Sequence, residues 1–241
     1  MPSLEGYKNS LDYSYAPGVF PAMECLLHRP ESVRRLLVHS SAAGREGMEK
    51  LLSLAGERRV RVEEADRALA RISGKENCYA AAVFAKFTDE LSPGKPHVIL
   101  HRPGDSGNVG TIMRTALGLG IENMALIRPC ADPFDPKTVR ASMGSLFSLR
   151  VHVYDSFDDY RSSFPEQQLY PFMLDASVPL GDVIRGAIPA AYSLVFGNEG
   201  SGLPASFAGY GRPVRIESND KVDSLNLAIA AGIAMYAFQS R

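Results

Sequence analysis

Three polar loops in the second half of the chain carry the residue types that could hold and orient a ligand. At 194–204 the sequence reads LVFGNEGSGLP: a short apolar run stops at a loop with glycines at 197, 200 and 202 and one carboxylate, Glu199. Leu194, Val195 and Phe196 have the character of the end of a buried strand, and the glycines mark backbone that needs positive φ or close approach. Two more clusters, 108–114 and 218–226, lie beside a strand end or a helix start. In an open α/β sheet ligands sit in the crevice outside the carboxyl ends of the strands, so loops of this kind can converge there. Together they offer Asn108, Arg114, Glu199, Ser224 and Asn226. Taken singly, Glu199 reads equally well as an exposed acid on a plain turn; for Arg114 the plain alternative, a helix-capping arginine, is the lesser one.

The elements that must position these loops follow from apolar spacing. A strand at 98–100 runs into a loop with Gly104, Gly107 and Gly110; a helix at 111–119 is closed by Gly120, and a strand follows at 124–127. That is a βαβ unit. Further strands are expected at 151–154, 172–174, 193–196 and 214–216, an acidic exposed helix within 155–168, and an apolar terminal helix within 227–238. The glycines follow Gly-x-x-Gly-x-x-Gly, which differs from the dinucleotide fingerprint, and no acid stands at the end of the second strand, at Arg128, to hold a ribose. A nicotinamide oxidoreductase is therefore disfavoured.

Before the βαβ unit, helices at 19–27, 47–54 and 65–72 alternate with strands at 36–38, 59–62 and 79–87, which makes a small α/β domain. The resulting division is a lead-in over 1–20, a small domain over 21–90, a linker over 91–97 that begins within the polar stretch TDELSPGKP (88–96), and a second domain over 98–241. Between His28 and Lys75 there are 11 Lys plus Arg against 7 Asp plus Glu, while the whole chain carries a net charge of -1. Arg29, Arg34, Arg35, Arg58, Arg59 and Arg61 are the candidate phosphate contacts of an RNA surface, set against a plain solvated face.

Composition narrows the class. The 241 residues are 45% hydrophobic and 22% charged, as in an ordinary soluble globular protein, and the longest apolar run, 227–238, is too short for a membrane span. The first residues lack the apolar core of a secretion signal, so a cytoplasmic protein is expected. Cys25, Cys78 and Cys130 show no paired spacing, and the five histidines no metal-ligand spacing, so neither disulfides nor a metal site is expected.

The sequence NVGTIMRTA at 108–116, VFGNEGSGL at 195–203 and SLNLAIA at 224–230 resembles, in order and spacing, the three motifs of the SpoU/TrmH family, and VRASMGS at 139–145 resembles its intermediate segment. These are RNA ribose 2′-O-methyltransferases of the SPOUT superfamily. The resemblance covers 98–241; the preceding part is similar to the family's small RNA-binding domain only in general pattern. Many relatives carry Gln-Gly before the linker, where this chain has Tyr79-Ala80.

The resemblance implies an α/β fold with a C-terminal SPOUT-type domain, a parallel sheet tied in a trefoil knot, preceded by a small α/β RNA-binding domain. It further implies S-adenosyl-L-methionine as cofactor, a homodimer, and an RNA substrate, ribosomal in preference to transfer RNA. A catalytically silent RNA-binding or assembly factor is the competing expectation. Carried onto this sequence, Gly197, Gly200, Ile216 and Leu225 would contact the cofactor, the glycine at 197 leaving its backbone open to approach. Asn108, Glu199, Ser224 and Asn226 would orient Arg114 and the acceptor ribose. A guanidinium has a pKa of about 12 or more and rarely yields its proton, so Arg114 is read as a phosphate grip that stabilises developing alkoxide, with Glu199 or solvent as proton acceptor.

Overall fold

A computed structural model describes residues 5–73, 78–219 and 221–240; residues 1–4 of the lead-in and Lys75 of the basic stretch lie outside them. The chain divides into two compact units, Met1–Phe87 with Asp132–Ser148, and Thr88–Ala131 with Leu149–Arg241. In chain order the elements are β1 (Tyr13–Pro17), α1 (Val19–His28), β2 (Val33–Val38), α2 (Met48–Glu57), β3 (Val62–Glu64), α3 (Asp66–Ser73) and β4 (Ala80–Ala85). They continue with β5 (His97–His101), α4 (Ser106–Gly118), β6 (Asn123–Ile127), α5 (Pro136–Ala141), β7 (Arg150–Tyr154), α6 (Phe157–Ser163) and β8 (Gln168–Pro171). The last are β9 (Val178–Pro179), α7 (Leu180–Ile184), β10 (Tyr192–Phe196), β11 (Val214–Arg215) and α8 (Leu227–Gln239). No helix among the described residues is long and apolar enough to cross a membrane.

The first unit is built on a four-stranded sheet in the order β1-β4-β2-β3. Its core gathers Tyr15, Leu37, Leu69, Cys78, Ala81 and Val83. Two features depart from the sequence reading. The lead-in contributes a full sheet strand, β1 pairing antiparallel with β4 from Tyr13↔Ala85 to Pro17↔Ala81. Residues 132–148, drawn above as part of the second domain, belong to the first unit because their aromatics bury there. Phe147 meets Phe84 edge-on at 4.9 Å and Phe134 meets Phe87 at 5.2 Å. Tyr7 donates to the Asp132 carboxylate, and a Cβ at Gly144 would overlap the Glu24 side chain on α1.

The second unit is a five-stranded sheet in the order β7-β6-β5-β10-β8, every neighbouring pair parallel. Strands β5, β6 and β10 are buried at every position, as expected for parallel strands covered on both faces. The strand expected at 172–174 lies instead at β8, where Pro171 is tolerated because β8 is an edge strand. Helix α4 starts at Ser106 rather than 111, because Asp105 accepts a hydrogen bond from the Asn108 amide and caps it.

At the amino ends of β5 and β10 a buried polar chain fixes the segment leading into the sheet. His97 Nε2 is 2.9 Å from the Ser92 carbonyl and Nδ1 2.8 Å from the Tyr160 hydroxyl. Tyr160 reaches Ser193 at 2.7 Å, Ser193 Oγ stands 3.2 Å from Gln167 Oε1, and Gln167 Nε2 donates to the Lys95 carbonyl. A carbonyl only accepts, so His97 carries its proton on Nε2 and accepts from Tyr160 at Nδ1. Burial pushes the His97 pKa down. Below the ordinary histidine value of about 6.5 the unfolded chain binds a proton that the folded chain refuses, so stability falls as pH drops through that value toward the folded pKa. The urea midpoint is therefore expected to fall between pH 7.5 and 5.5, with the His97 imidazole titrating below the ordinary histidine value by NMR. A His97 resonance titrating at the ordinary value contradicts this.

Candidate active site

The loop after β10 is a closed hairpin of backbone. Asn198 and Gly202 exchange both backbone hydrogen bonds, at 3.2 and 2.9 Å, and Gly202 supplies the left-handed residue with φ 65°. A Cβ on Gly197 would overlap the Gly202 carbonyl and the Leu203 amide. Glycine at 197 is thus required by the loop folding back on itself. Asn198, which the sequence reading passed over, organises the same turn. Its Oδ1 accepts from the Gly200 and Ser201 amides, and its Nδ2 donates to the Arg102 carbonyl at 2.9 Å. An asparagine opening a glycine-rich turn is the signal that could have found it.

Glu199 fastens this loop to the start of α4. Its Oε2 accepts from the Gly104 amide at 2.9 Å and Asn198 Nδ2 at 3.3 Å; its Oε1 accepts from the Asp105 amide at 3.1 Å and Asn108 Nδ2 at 3.2 Å. Burial alone raises its pKa, but hydrogen bonds from Gly104, its own amide, Asn108 and Asp105 outweigh that and hold the carboxyl below its ordinary value. The third loop joins through Asn108, whose Oδ1 accepts from Asn226 Nδ2 at 3.1 Å. Asn226 in turn caps α8, its Oδ1 accepting from the Ala228 and Ile229 amides. One chain of side-chain bonds, Glu199 to Asn108 to Asn226, therefore links three loops, the outermost two 118 residues apart in sequence.

Ser224 and Arg114 stand outside that chain. Ser224 lines a pocket of about 210 Å3 together with Gly197, Gly200, Ile216, Leu225 and Glu199. Its apolar wall is Phe172, Met173, Leu174, Phe196 and Leu227, with Phe172 and Phe196 stacked at 4.7 Å. Leu174 is 62% exposed, an apolar side chain on the rim of a slot otherwise offering glycine backbone. Arg114 lies on the exposed side of α4 and, among the described residues, has no hydrogen-bond or ion-pair partner. An anion can therefore take its whole fork. Also among the described residues, no group of three or more His, Cys, Asp or Glu is set to hold a metal ion.

The sequence model of the SpoU rRNA Methylase family matches residues 95–236, the stretch that holds all three loops. The chain belongs to that family. It is 36% identical over 147 residues to an uncharacterized tRNA/rRNA methyltransferase of Synechocystis, covering 58% of this chain and 51% of that protein. It is 31% identical over 153 residues to a 23S rRNA (adenosine(1067)-2′-O)-methyltransferase of Streptomyces laurentii, covering 63% and 56%. The match thus spans little more than half the length of these two curated relatives. The crystal structure of an AdoMet-bound rRNA methyltransferase from Sinorhizobium meliloti superimposes with a TM-score of 0.79 at 26% identity, over 95% of this chain and 87% of that one.

The six arginines singled out as RNA contacts fare differently, all of them in the first unit. Arg29 donates to the Phe147 carbonyl and lies over the Phe87 ring at 4.4 Å. Arg34 pairs with Asp12 at 2.7 Å, while Arg35 and Arg61 share Glu63 at 3.2 and 2.9 Å. These four are engaged inside the unit. Arg58 and Arg59 carry no ion pair among the described residues.

Proposed function

We propose that this chain is an S-adenosylmethionine-dependent RNA methyltransferase that transfers a methyl group to a ribose 2′-hydroxyl, in ribosomal RNA in preference to transfer RNA. The observation that carries the reading is the chain Glu199–Asn108–Asn226, which ties three family motifs to the rim of one slot. The cofactor named for the Sinorhizobium structure and the ribosomal 2′-hydroxyl named for the Streptomyces enzyme support it.

The residues present fit that donor. Glycine backbone at 197–202 and apolar side chains line one slot, a surface suited to a flat heterocycle held by main-chain groups, and Ile216 and Leu225 line it too. When bound there, S-adenosylmethionine supplies an electrophilic methyl on a sulfonium. The chain's own residues do the rest by alignment, since an in-line displacement needs donor and acceptor held in register. Arg114 grips a phosphate beside the target ribose and stabilises the oxygen as it loses its proton. Glu199 is not the acceptor of that proton: each carboxylate oxygen already takes two hydrogen bonds and its pKa is held down. Solvent takes the proton, and Glu199 keeps the loops in place.

The same reading includes a homodimer and a trefoil knot in which α8 passes through an earlier loop. Support for the dimer comes from α8, where Ile229, Ile233 and Tyr236 are 57, 40 and 63% exposed at helical spacing along one side. Support for close threading comes from the small residues Ala228, Ala231, Gly232 and Ala234, with a Cβ at Gly232 only 3.7 Å from the Thr115 methyl on α4. The double variant Ile229→Asp, Ile233→Asp is expected to sediment as a monomer at concentrations where the natural chain is a dimer; a natural chain that sediments as a monomer overturns the dimer.

The function is tested by incubating the protein with tritiated S-adenosylmethionine and RNA from cells lacking the gene. Label fixed in ribosomal RNA as a 2′-O-methyl nucleotide is expected. Label in transfer RNA alone would move the substrate, and binding without label would leave a silent RNA-binding factor.

A further inference from the structure

Within the first unit, one group of side chains at the carboxyl end of β2 and the start of β4 is built like a stacking surface. The Arg45 guanidinium lies over the Tyr79 ring, 4.2 Å from its centroid. The His39 ring meets the same tyrosine edge-on at 6.0 Å, and the His39 amide donates to the Tyr79 carbonyl at 2.9 Å. Tyr79 and His39 are half-buried and Arg45 is exposed.

The backbone beneath them is held from several directions. Asp66, at the start of α3, accepts from the Ser40 amide at 2.8 Å and its hydroxyl at 2.6 Å, and its carboxylate stands 3.8 Å from His39 Nε2. The Ser41 amide donates to His39 Nδ1 at 3.1 Å. Ordering of this kind before any ligand arrives lowers the entropy lost on binding.

The contrast with the neighbouring arginines is what assigns a role. Arg34, Arg35 and Arg61 spend their guanidinium groups on carboxylates and Arg29 on a carbonyl and a ring. Arg45, by comparison, has its stacked ring and, among the described residues, no carboxylate or carbonyl partner. Its N–H groups are therefore available while its Cζ rests over the tyrosine ring. A planar cation fixed on an aromatic ring, with free donors at its rim, suits an unpaired base on its face and a phosphate at its edge.

We propose that Arg45, Tyr79 and His39 form a platform that stacks an unpaired nucleobase of single-stranded RNA, with Arg45 also gripping an adjoining phosphate. The platform rests on the reading of the chain as an RNA enzyme and adds to it a single-stranded target element. It also transfers the base-contacting role in the first unit to a tyrosine, a histidine and an arginine that charge counting did not single out.

The test is a fluorescence-anisotropy titration of the full chain with a fluorescein-labelled 12-nucleotide oligouridylate and, separately, a 12-base-pair RNA duplex. The natural chain is expected to bind the single strand more tightly than the duplex. Tyr79→Ala should weaken single-strand binding about tenfold, the range of one lost base stack, with the salt dependence unchanged. Tyr79→Phe should bind like the natural chain. Arg45→Ala should weaken binding and shallow the salt slope by about 0.7, one phosphate contact on a single strand. Because Tyr79→Ala could unfold locally, the natural chain is also irradiated with 5-iodouridine-substituted oligonucleotide, and crosslinks are expected at Tyr79 or His39. RNA binding by the natural chain with Tyr79→Ala within twofold, or crosslinks mapping elsewhere, overturns the platform and leaves the enzyme reading intact. A natural chain that binds neither RNA overturns both.

Discussion

Glu199→Gln is expected to lower methyl transfer by at least about 10²-fold, the size of effect that a misplacement near 1 Å produces. Each Glu199 oxygen accepts two hydrogen bonds, so an amide must turn its NH2 toward two existing donors. Whichever way it faces, at least two donors lose their acceptor, and the loop at 197–202 separates from the start of α4. The loss should therefore appear in three readouts together: turnover, affinity for S-adenosylmethionine and thermal midpoint. A general base would lose turnover alone, with donor affinity and midpoint unchanged. The ionisation supports the same distinction. A carboxyl held below its ordinary value contributes stability at every pH above the unfolded value of about 4.3 and loses it as pH falls through the folded value. The rate between pH 6 and 9 should thus show no inflection from this group. Turnover of Glu199→Gln within threefold of the natural chain contradicts the clamp.

Arg114→Ala is expected to cost about 10² to 10³ in turnover, the range for removing one group that stabilises developing charge, with donor affinity unchanged. Arg114 has no partner among the described residues, so its removal leaves no buried group unpaired and the fold should be unaffected. The informative variant is Arg114→Lys, which keeps the charge and loses the planar fork. A positioning arginine predicts an intermediate rate and a raised KM for RNA. Lysine gives up a proton far more readily than arginine, so near-normal turnover in Arg114→Lys would favour a base and overturn positioning.

What the sequence made legible, and what it did not, follows from the range of the interactions. Strands β5, β6 and β10 are continuous apolar runs, and such runs report burial on both faces without tertiary information. The glycines of 197–202 announce a tight turn, yet only coordinates separate their tasks: Gly202 supplies positive φ, and Gly197 makes room for the returning backbone. Glu199 was recognisable as a carboxylate in a special loop, but its four partners come from residues 104–108 and 198, so the clamp these bonds form was out of reach. Residues 132–148 were assigned by chain continuity, and the contacts of Phe134 and Phe147 with Phe87 and Phe84 override that. The arginines near the amino terminus show the same limit. Charge counting cannot tell Arg34 and Arg35, which pair with Asp12 and Glu63, from Arg45, which meets a ring.

The most direct trial of the account is a calorimetric titration of S-adenosylmethionine into the natural chain and into Gly197→Ala, with circular dichroism to follow the fold. A methyl at 197 overlaps the Gly202 carbonyl and the Leu203 amide, so the loop must open and the slot must change shape. Saturable binding at one donor per chain by the natural protein, lost in Gly197→Ala while its secondary structure persists, is the predicted result. Absence of donor binding by the natural chain, or equal binding by both, would contradict the claim that the 197–202 turn, tied to residues 108 and 226, forms the methyl-donor site.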